Sequence, residues 1–181
     1  MSQGKRYLLT GASSGIGAAL ARELAAKGYD LALAARREDS LHVLAAELQA
    51  RFQRKVVVLP LDVTDYDACQ DAVGLAANLL GGLDGMIANA GIALTGKAGG
   101  GHFERTRLTL ETNLIGAIAC LDAACAHFRQ QGHGHRVIVT TQLHQAVEQR
   151  QREVRTKAAD RDLLRAATHA LGSHAGQAGE R

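Results

Sequence analysis

Tryptophan is absent, proline occurs once, and Phe and Tyr together make up 3% of the 181 residues. A fold built on aromatic packing is therefore excluded, as is a stacking platform for single-stranded nucleic acid. Cysteine is scarce: Cys69, Cys120 and Cys125, an odd number with no CxxC pair. They read as reduced core or helix-face residues, not as a disulfide framework, and no metal site is expected. Charge of one sign is also lacking. Against 21 Lys and Arg stand 18 Asp and Glu, a net +3 that is too weak for a nucleic-acid footprint. No run approaches the roughly 18 apolar residues of a membrane span, and Met1–Arg6 lead into a strand without a signal-peptide core. A cytoplasmic chain without nucleic-acid or membrane partners is expected. What is plentiful is apolar residues (46%) and glycine (20 residues), enough for one domain with a real core and many tight turns.

Apolar runs and helical patterns alternate along the first 141 residues. Tyr7–Thr10 reads as a strand, followed by a Gly-rich turn and a helix over Ile16–Lys27 that Gly28 closes. Leu31–Ala35 is continuously apolar, as in a strand buried on both faces. Asp39 and Ser40 offer an N-cap for a helix through Arg51. Val56–Leu61 is a third strand, and Thr64 is placed to cap a helix over Asp65–Leu80. Gly85–Asn89 is a fourth strand, Ile92–Gly101 a Gly-rich loop, Leu108–Gln131 a helix with a small apolar face, and Val137–Thr141 a fifth strand. Five strands separated by helices predict an α/β doubly wound parallel sheet of the Rossmann type, in the order 3-2-1-4-5. The expected organisation is one dinucleotide-binding domain over 1–141. Residues 142–181 form a divergent, helical and frayed tail, not a separate domain. That tail has no Ile, Phe, Tyr, Met, Cys or Pro, and shows no further strand.

The turn Thr10-Gly11-Ala12-Ser13-Ser14-Gly15-Ile16-Gly17 lies between a strand and a helix. Glycine there permits positive φ and close backbone approach, and the helix start turns N–H groups toward an anion such as a dinucleotide pyrophosphate. The segment TGASSGIG resembles the TGxxxGxG turn of short-chain dehydrogenases/reductases. Further landmarks follow in register: Asp62-Val63 after the third strand resembles the adenine-contacting acidic position, Asn89-Ala90-Gly91 the NAG motif, and Asn113 the active-site Asn of the long helix. The resemblance implies that Gly11, Ser13, Ser14, Gly15, Ile16, Gly17, Arg36, Arg37, Asp62, Val63, Asn89, Ala90 and Gly91 bind the cofactor. Arg36 and Arg37 close the second strand where an acidic residue would accept ribose hydroxyls. Two guanidinium groups would instead pair with a 2′-phosphate, so NADP(H) is expected over NAD(H). By the same resemblance the long helix over Leu108–Gln131 builds a homo-oligomer.

The family reaction is hydride transfer between NADPH and a carbonyl or alcohol, with Ser, Tyr, Lys and Asn as its catalytic set. In this sequence Asn113, Thr141 (or Thr140) and Lys157 are the residues left for chemistry. The tyrosines are Tyr7, Tyr29 and Tyr66, all upstream, and at the YxxxK spacing Glu153 stands four residues before Lys157. A glutamate ionises near pH 4.3, so beside Lys157 it has no proton to give a carbonyl. Glu153 and Lys157 read first as an i,i+4 ion pair on an exposed helix. Gly132-His133-Gly134-His135, with His127, reads as a polar turn and not a metal site. Three functions follow: an active reductase, an NADP(H)-binding module without turnover, or a fragment of an interrupted reductase. The abrupt change after Thr141 fits out-of-frame translation as well as natural divergence. Sequencing the coding DNA beyond Val139 bears on these: a shifted frame restoring Ser-Ser and Tyr-x-x-x-Lys marks the tail as an artefact or a lesion and the intact protein as an NADPH-dependent reductase, and its absence leaves cofactor binding without catalysis as the reading.

Overall fold

A computed structural model describes residues 5–94 and 100–132, and the backbone of 136–139. Eight of its elements precede the long helix of the C-terminal side. They are β1 (Arg6–Thr10), α1 (Gly15–Ala26), β2 (Asp30–Ala35), α2 (Glu38–Phe52), β3 (Val56–Pro60), α3 (Tyr66–Leu80), β4 (Gly85–Ala88) and α4 (Phe103–Leu110). A π-helical turn, Glu111–Ile115, then joins α4 to α5 (Gly116–Gln131). The strands pair in parallel in the order β3-β2-β1-β4, and the backbone of Arg136–Val139 runs beside β4 as β5.

Successive side chains along a strand point to opposite faces, and here both faces are covered. Leu8, Ala32, Ala34, Leu59, Met86 and Ala88 join the layer that contains α3 and α5. Tyr7, Leu9, Leu31, Leu33, Ala35 and Ile87 join the layer that contains α1 and α2. This is why β2 is apolar without alternation. Burial of these strands is the main favourable term holding the sheet, at about 25 cal/mol per Å² of apolar surface. At the N-terminal end of the sheet, Arg6 fixes β1 against the start of β4. Its Nε donates to Asp84 Oδ2 at 2.9 Å, its Nη2 to Oδ1 at 3.1 Å, and its backbone N–H to Oδ2 at 2.9 Å. The carboxylate bond raises the Arg6 pKa further, against the opposing effect of burial.

Several helix starts differ from the sequence expectation. The N-cap of α2 is Arg37, and Glu38 and Asp39 lie in its first turn, where the positive end of the helix dipole favours them. The cap of α3 is Asp65, whose carboxylate accepts from Ala68 N–H at 3.0 Å. Thr64 is engaged elsewhere, donating its N–H and hydroxyl to Asp62 Oδ1 at 3.0 and 2.9 Å. The helix expected from Leu108 begins at Phe103, because Glu104, Arg107 and Glu111 form i,i+3 and i,i+4 pairs at 2.9 and 2.8 Å that support the extra turn. The continuous helical stretch Phe103–Gln131 is 29 residues long with a mean hydropathy of 1.3 over its most apolar window. By length and composition alone it passes as a membrane span, although Glu111 and Asp122 interrupt it and it holds no continuous apolar run of 18 residues. Its inner face packs Ala117, Cys120, Ala124 and Phe128 into the sheet layer.

At Gly116 the helix start presses on the loop after β3. A Cβ there would meet Val63 O at 2.7 Å and Val63 Cγ2 at 2.8 Å. At Gly74, inside α3, a Cβ would meet nothing within 4 Å. Gly116→Ala is expected to lose about 1–3 kcal/mol through overpacking, whereas Gly74→Ala should gain up to about 1 kcal/mol from helix propensity. Urea titrations of the two variants check both signs.

Candidate functional site

After β1 the chain turns to β2 on one side, while β4 lies on the other. The C-terminal ends of β1 and β4 therefore part, and a crevice opens where the winding reverses. The walls of this crevice are held by side chains from both strands. Thr10 Oγ1 accepts the N–H groups of Asn89 and Ala90, both at 3.1 Å, and Asn89 Nδ2 donates to Thr10 O at 3.1 Å and Gly11 O at 3.4 Å. Thr10 and Asn89 are buried, so each bond also satisfies a group that water does not reach. The glycines are demanded by this contact. A Cβ on Gly11, which has φ +69°, would stand 2.7 Å from Ala90 Cα. A Cβ on Gly17 would stand 2.2 Å from Gly11 O and 2.6 Å from Asn89 Nδ2.

The resulting groove has a volume of about 310 Å³. Gly11, Ser13, Ser14 and Gly15 form one wall, Arg36, Arg37, Asp62 and Val63 a second, and Asn89, Ala90 and Gly91 a third. These residues all belong to the set expected from the sequence. Ile16 and Gly17 do not line it: Ile16 is exposed on the outer side of α1, and Gly17 is buried beneath Gly11. Ala35, Leu61, Ile92 and Thr112 line the groove and were missed. Ala35 and Leu61 immediately precede Arg36 and Asp62 at strand ends, so strand geometry was the available signal. Thr112 has no such signal, because a π-helical turn rotates it toward the groove.

The electrostatics of the groove suit an anion. Ser14 is the N-cap of α1, but its side chain accepts no bond from the first turn, which contains no acidic residue. Its hydroxyl accepts instead from Arg37, whose Nη2 also donates to Ser13 Oγ at 3.1 Å. Gly15, at φ +55°, has open space where a Cβ would be. The turn thus presents bare backbone, a helix start and a guanidinium to the same volume. Arg36 pairs with Asp62 at 3.7 Å; both are well exposed, so the pair adds little stability and leaves Arg36 able to turn to another anion.

Asn113 lies beside the groove without lining it. It is 1% exposed, and both polar atoms of its amide bond to one residue: Oδ1 accepts from Ile92 N–H at 2.8 Å and Nδ2 donates to Ile92 O at 2.8 Å. The side chain thereby fixes the strand-like exit from β4 to the helical layer. Thr140, Thr141, Glu153 and Lys157 lie outside the described residues, as do the tail and His133 and His135. Among the described residues no group of three or more metal-ligating side chains occurs, and His127 is engaged with Gln131 Oε1 at 3.3 Å.

A model of the short chain dehydrogenase family matches residues 5–175. An uncharacterized oxidoreductase of Mycobacterium tuberculosis is 41% identical over 140 residues, which are 77% of this chain and 55% of the relative. The L-rhamnose 1-dehydrogenase (NAD(P)(+)) of a Sphingomonas species is 33% identical over 175 residues, 95% of this chain and 68% of that protein. A short chain dehydrogenase from Burkholderia cenocepacia, solved in complex with NADP, superposes with a TM-score of 0.69 at 35% identity, over 76% of this chain and 55% of that one. The chain belongs to the short-chain dehydrogenase/reductase family. It spans about half the length (55%) of the mycobacterial relative. The family match runs to residue 175, whereas the alignment with the mycobacterial relative is 140 residues long.

Asn113→Ala should leave the half-buried Ile92 amide and carbonyl without these partners, costing about 1–3 kcal/mol. Chemical denaturation measures it directly, and a loss below about 0.5 kcal/mol would show that Asn113 does not anchor this loop.

Proposed function

We propose that the chain is the nucleotide-binding part of an oxidoreductase that transfers hydride between NADPH and a carbonyl or alcohol. The observation that carries this reading is Arg37 lying across Ser13 and Ser14 at the start of α1, with Arg36 beside it. Backbone donors at the glycine turn suit a pyrophosphate, while two guanidinium groups at the end of β2 suit a ribose 2′-phosphate. The relative that uses NAD(P)(+) and the neighbour solved with NADP are in keeping with it. Bound in the groove, the nicotinamide cofactor supplies the hydride. Asp62 and Val63 would flank the adenine and Asn89–Gly91 would line the path toward the reacting end.

On this reading residues 1–141 form a nucleotide-binding domain whose sheet runs 3-2-1-4-5, and 142–181 extend it. Thr141 (or Thr140) would hold the substrate oxygen and Lys157 the nicotinamide ribose, with Asn113 ordering the segment after β4 through Ile92. The apolar residues Leu108, Leu110, Ile115 and Ile118, exposed on the helical stretch, would form the contact of a homo-oligomer.

One observation favours a second reading, binding of NADP(H) without turnover. Tyr7 stacks on Tyr29 with ring centroids 5.4 Å apart at the other end of the sheet, and Tyr66 opens α3. None of the three tyrosines lines the groove. Glu153 stands where the family's proton donor is expected. A panel of carbonyl substrates, followed by NADPH absorbance, separates the readings: turnover supports the first, and binding without turnover the second.

Cofactor choice is tested by titrating NADPH and NADH into Arg36→Asp and Arg37→Asp. A charge-assisted contact of about 1.5–3 kcal/mol predicts NADPH affinity falling roughly 10- to 100-fold while NADH affinity holds. Equal losses for both cofactors would remove the arginines from 2′-phosphate selection.

A further inference from the structure

Cys69 in α3 and Cys120 in α5 meet in the layer beneath the groove, and nothing in the proposed chemistry uses them. Both are 1% exposed, and their sulfurs are 3.4 Å apart. The Cys120 thiol donates to Cys69 Sγ, and the Cys69 thiol donates to Val63 O at 3.6 Å. Each side chain comes from a rigid helix, and the two helices pack through Ala72, Ala76, Ala117 and Ala124, whose small side chains let the backbones approach. We propose that Cys69 and Cys120 are an oxidisable dithiol that a peroxide closes to a disulfide, stapling α3 to α5.

Bonded sulfurs are about 2.05 Å apart, so the two need to close by only about 1.4 Å, which side-chain rotation and the small-residue packing allow. The bond donated by Cys120 lowers the Cys69 pKa, against burial and the neighbouring Asp65 and Asp62 carboxylates. The same bond and burial raise that of Cys120. Cys69 is therefore the sulfur that ionises and attacks first. Its thiolate takes one oxygen of hydrogen peroxide, breaking the O–O bond and forming a sulfenic acid, and the leaving hydroxide takes a proton to become water. Cys120 then attacks the Cys69 sulfur through its own, the sulfenic oxygen leaves as water with the Cys120 proton, and the S–S bond forms. Two thiols are each oxidised by one electron and one peroxide is reduced to two waters. A small uncharged oxidant suits the burial of the pair, which excludes bulky disulfide reagents.

The test treats the full chain with hydrogen peroxide, unfolds it, blocks remaining thiols with iodoacetamide and maps the peptides by mass spectrometry. The expected result is a Cys69–Cys120 linkage, with intact mass about 2 Da lower for the two hydrogens lost. It should also form in Cys125→Ser, disappear in Cys69→Ser and in Cys120→Ser, and reverse with dithiothreitol. The melting temperature should rise by several degrees on oxidation, in the wild type and Cys125→Ser alone. Full alkylation of both cysteines after peroxide would overturn the proposal. So would Cys69 passing to sulfinic acid with Cys120 intact, or linkages confined to Cys125.

Discussion

The clamp between the ends of β1 and β4 is the contact on which the rest of the site depends. Thr10 and Asn89 exchange hydrogen bonds across the point where the sheet changes its winding direction. That exchange sets Ala90 against Gly11, and Asn89 with the Gly11 carbonyl against Gly17, so neither glycine has room for a Cβ. The chain must therefore turn sharply after β1 and enter α1 directly, which aims the helix start at the crevice. A site for an anion follows from a steric constraint on backbone, not from a cluster of charges.

The charges are added around that constraint. Arg37 reaches back over the turn to the serine hydroxyls, so the cation is held at the mouth of the groove by neutral partners. Arg36 faces Asp62 across the ends of β2 and β3 in an exposed pair. Neither arrangement contributes much to folding, since exposed ion pairs are weak. What they supply is a local positive field over a rigid floor. The rigidity comes from below, where strands buried on both faces leave the loop ends little freedom.

On the far wall a second constraint operates. Asn113 bonds to Ile92 through both polar atoms of its amide, and Gly116 closes on Val63. Both sit at or beside the π-helical turn, a feature that lets neighbouring residues of one helix face different ways. Thr112 faces the groove while Asn113 faces the loop. The turn thus couples the long helix to the end of β4 and to the loop after β3 at once.

Much of this was legible in the sequence. The continuously apolar stretches Leu31–Ala35 and Val56–Leu61 declare strands buried on both faces, and the order of strands and helices declares the sheet. The spacing of Gly11, Gly15 and Gly17 declares the turn, because few other residues tolerate those backbone angles and contacts. The caps at Arg37 and Asp65 and the helix start at Phe103 lie one to five residues from the expected positions, since several polar residues compete for each helix start and only local hydrogen bonding chooses. Tertiary structure alone decided that Asn113 serves Ile92, that Thr112 lines the groove, and that Cys69 meets Cys120. Each of these pairs residues distant in sequence or rotated by an irregular turn. Local periodicity carries the first kind of information because it is set by the backbone's own repeat. It carries none of the second, which depends on how two separate surfaces meet.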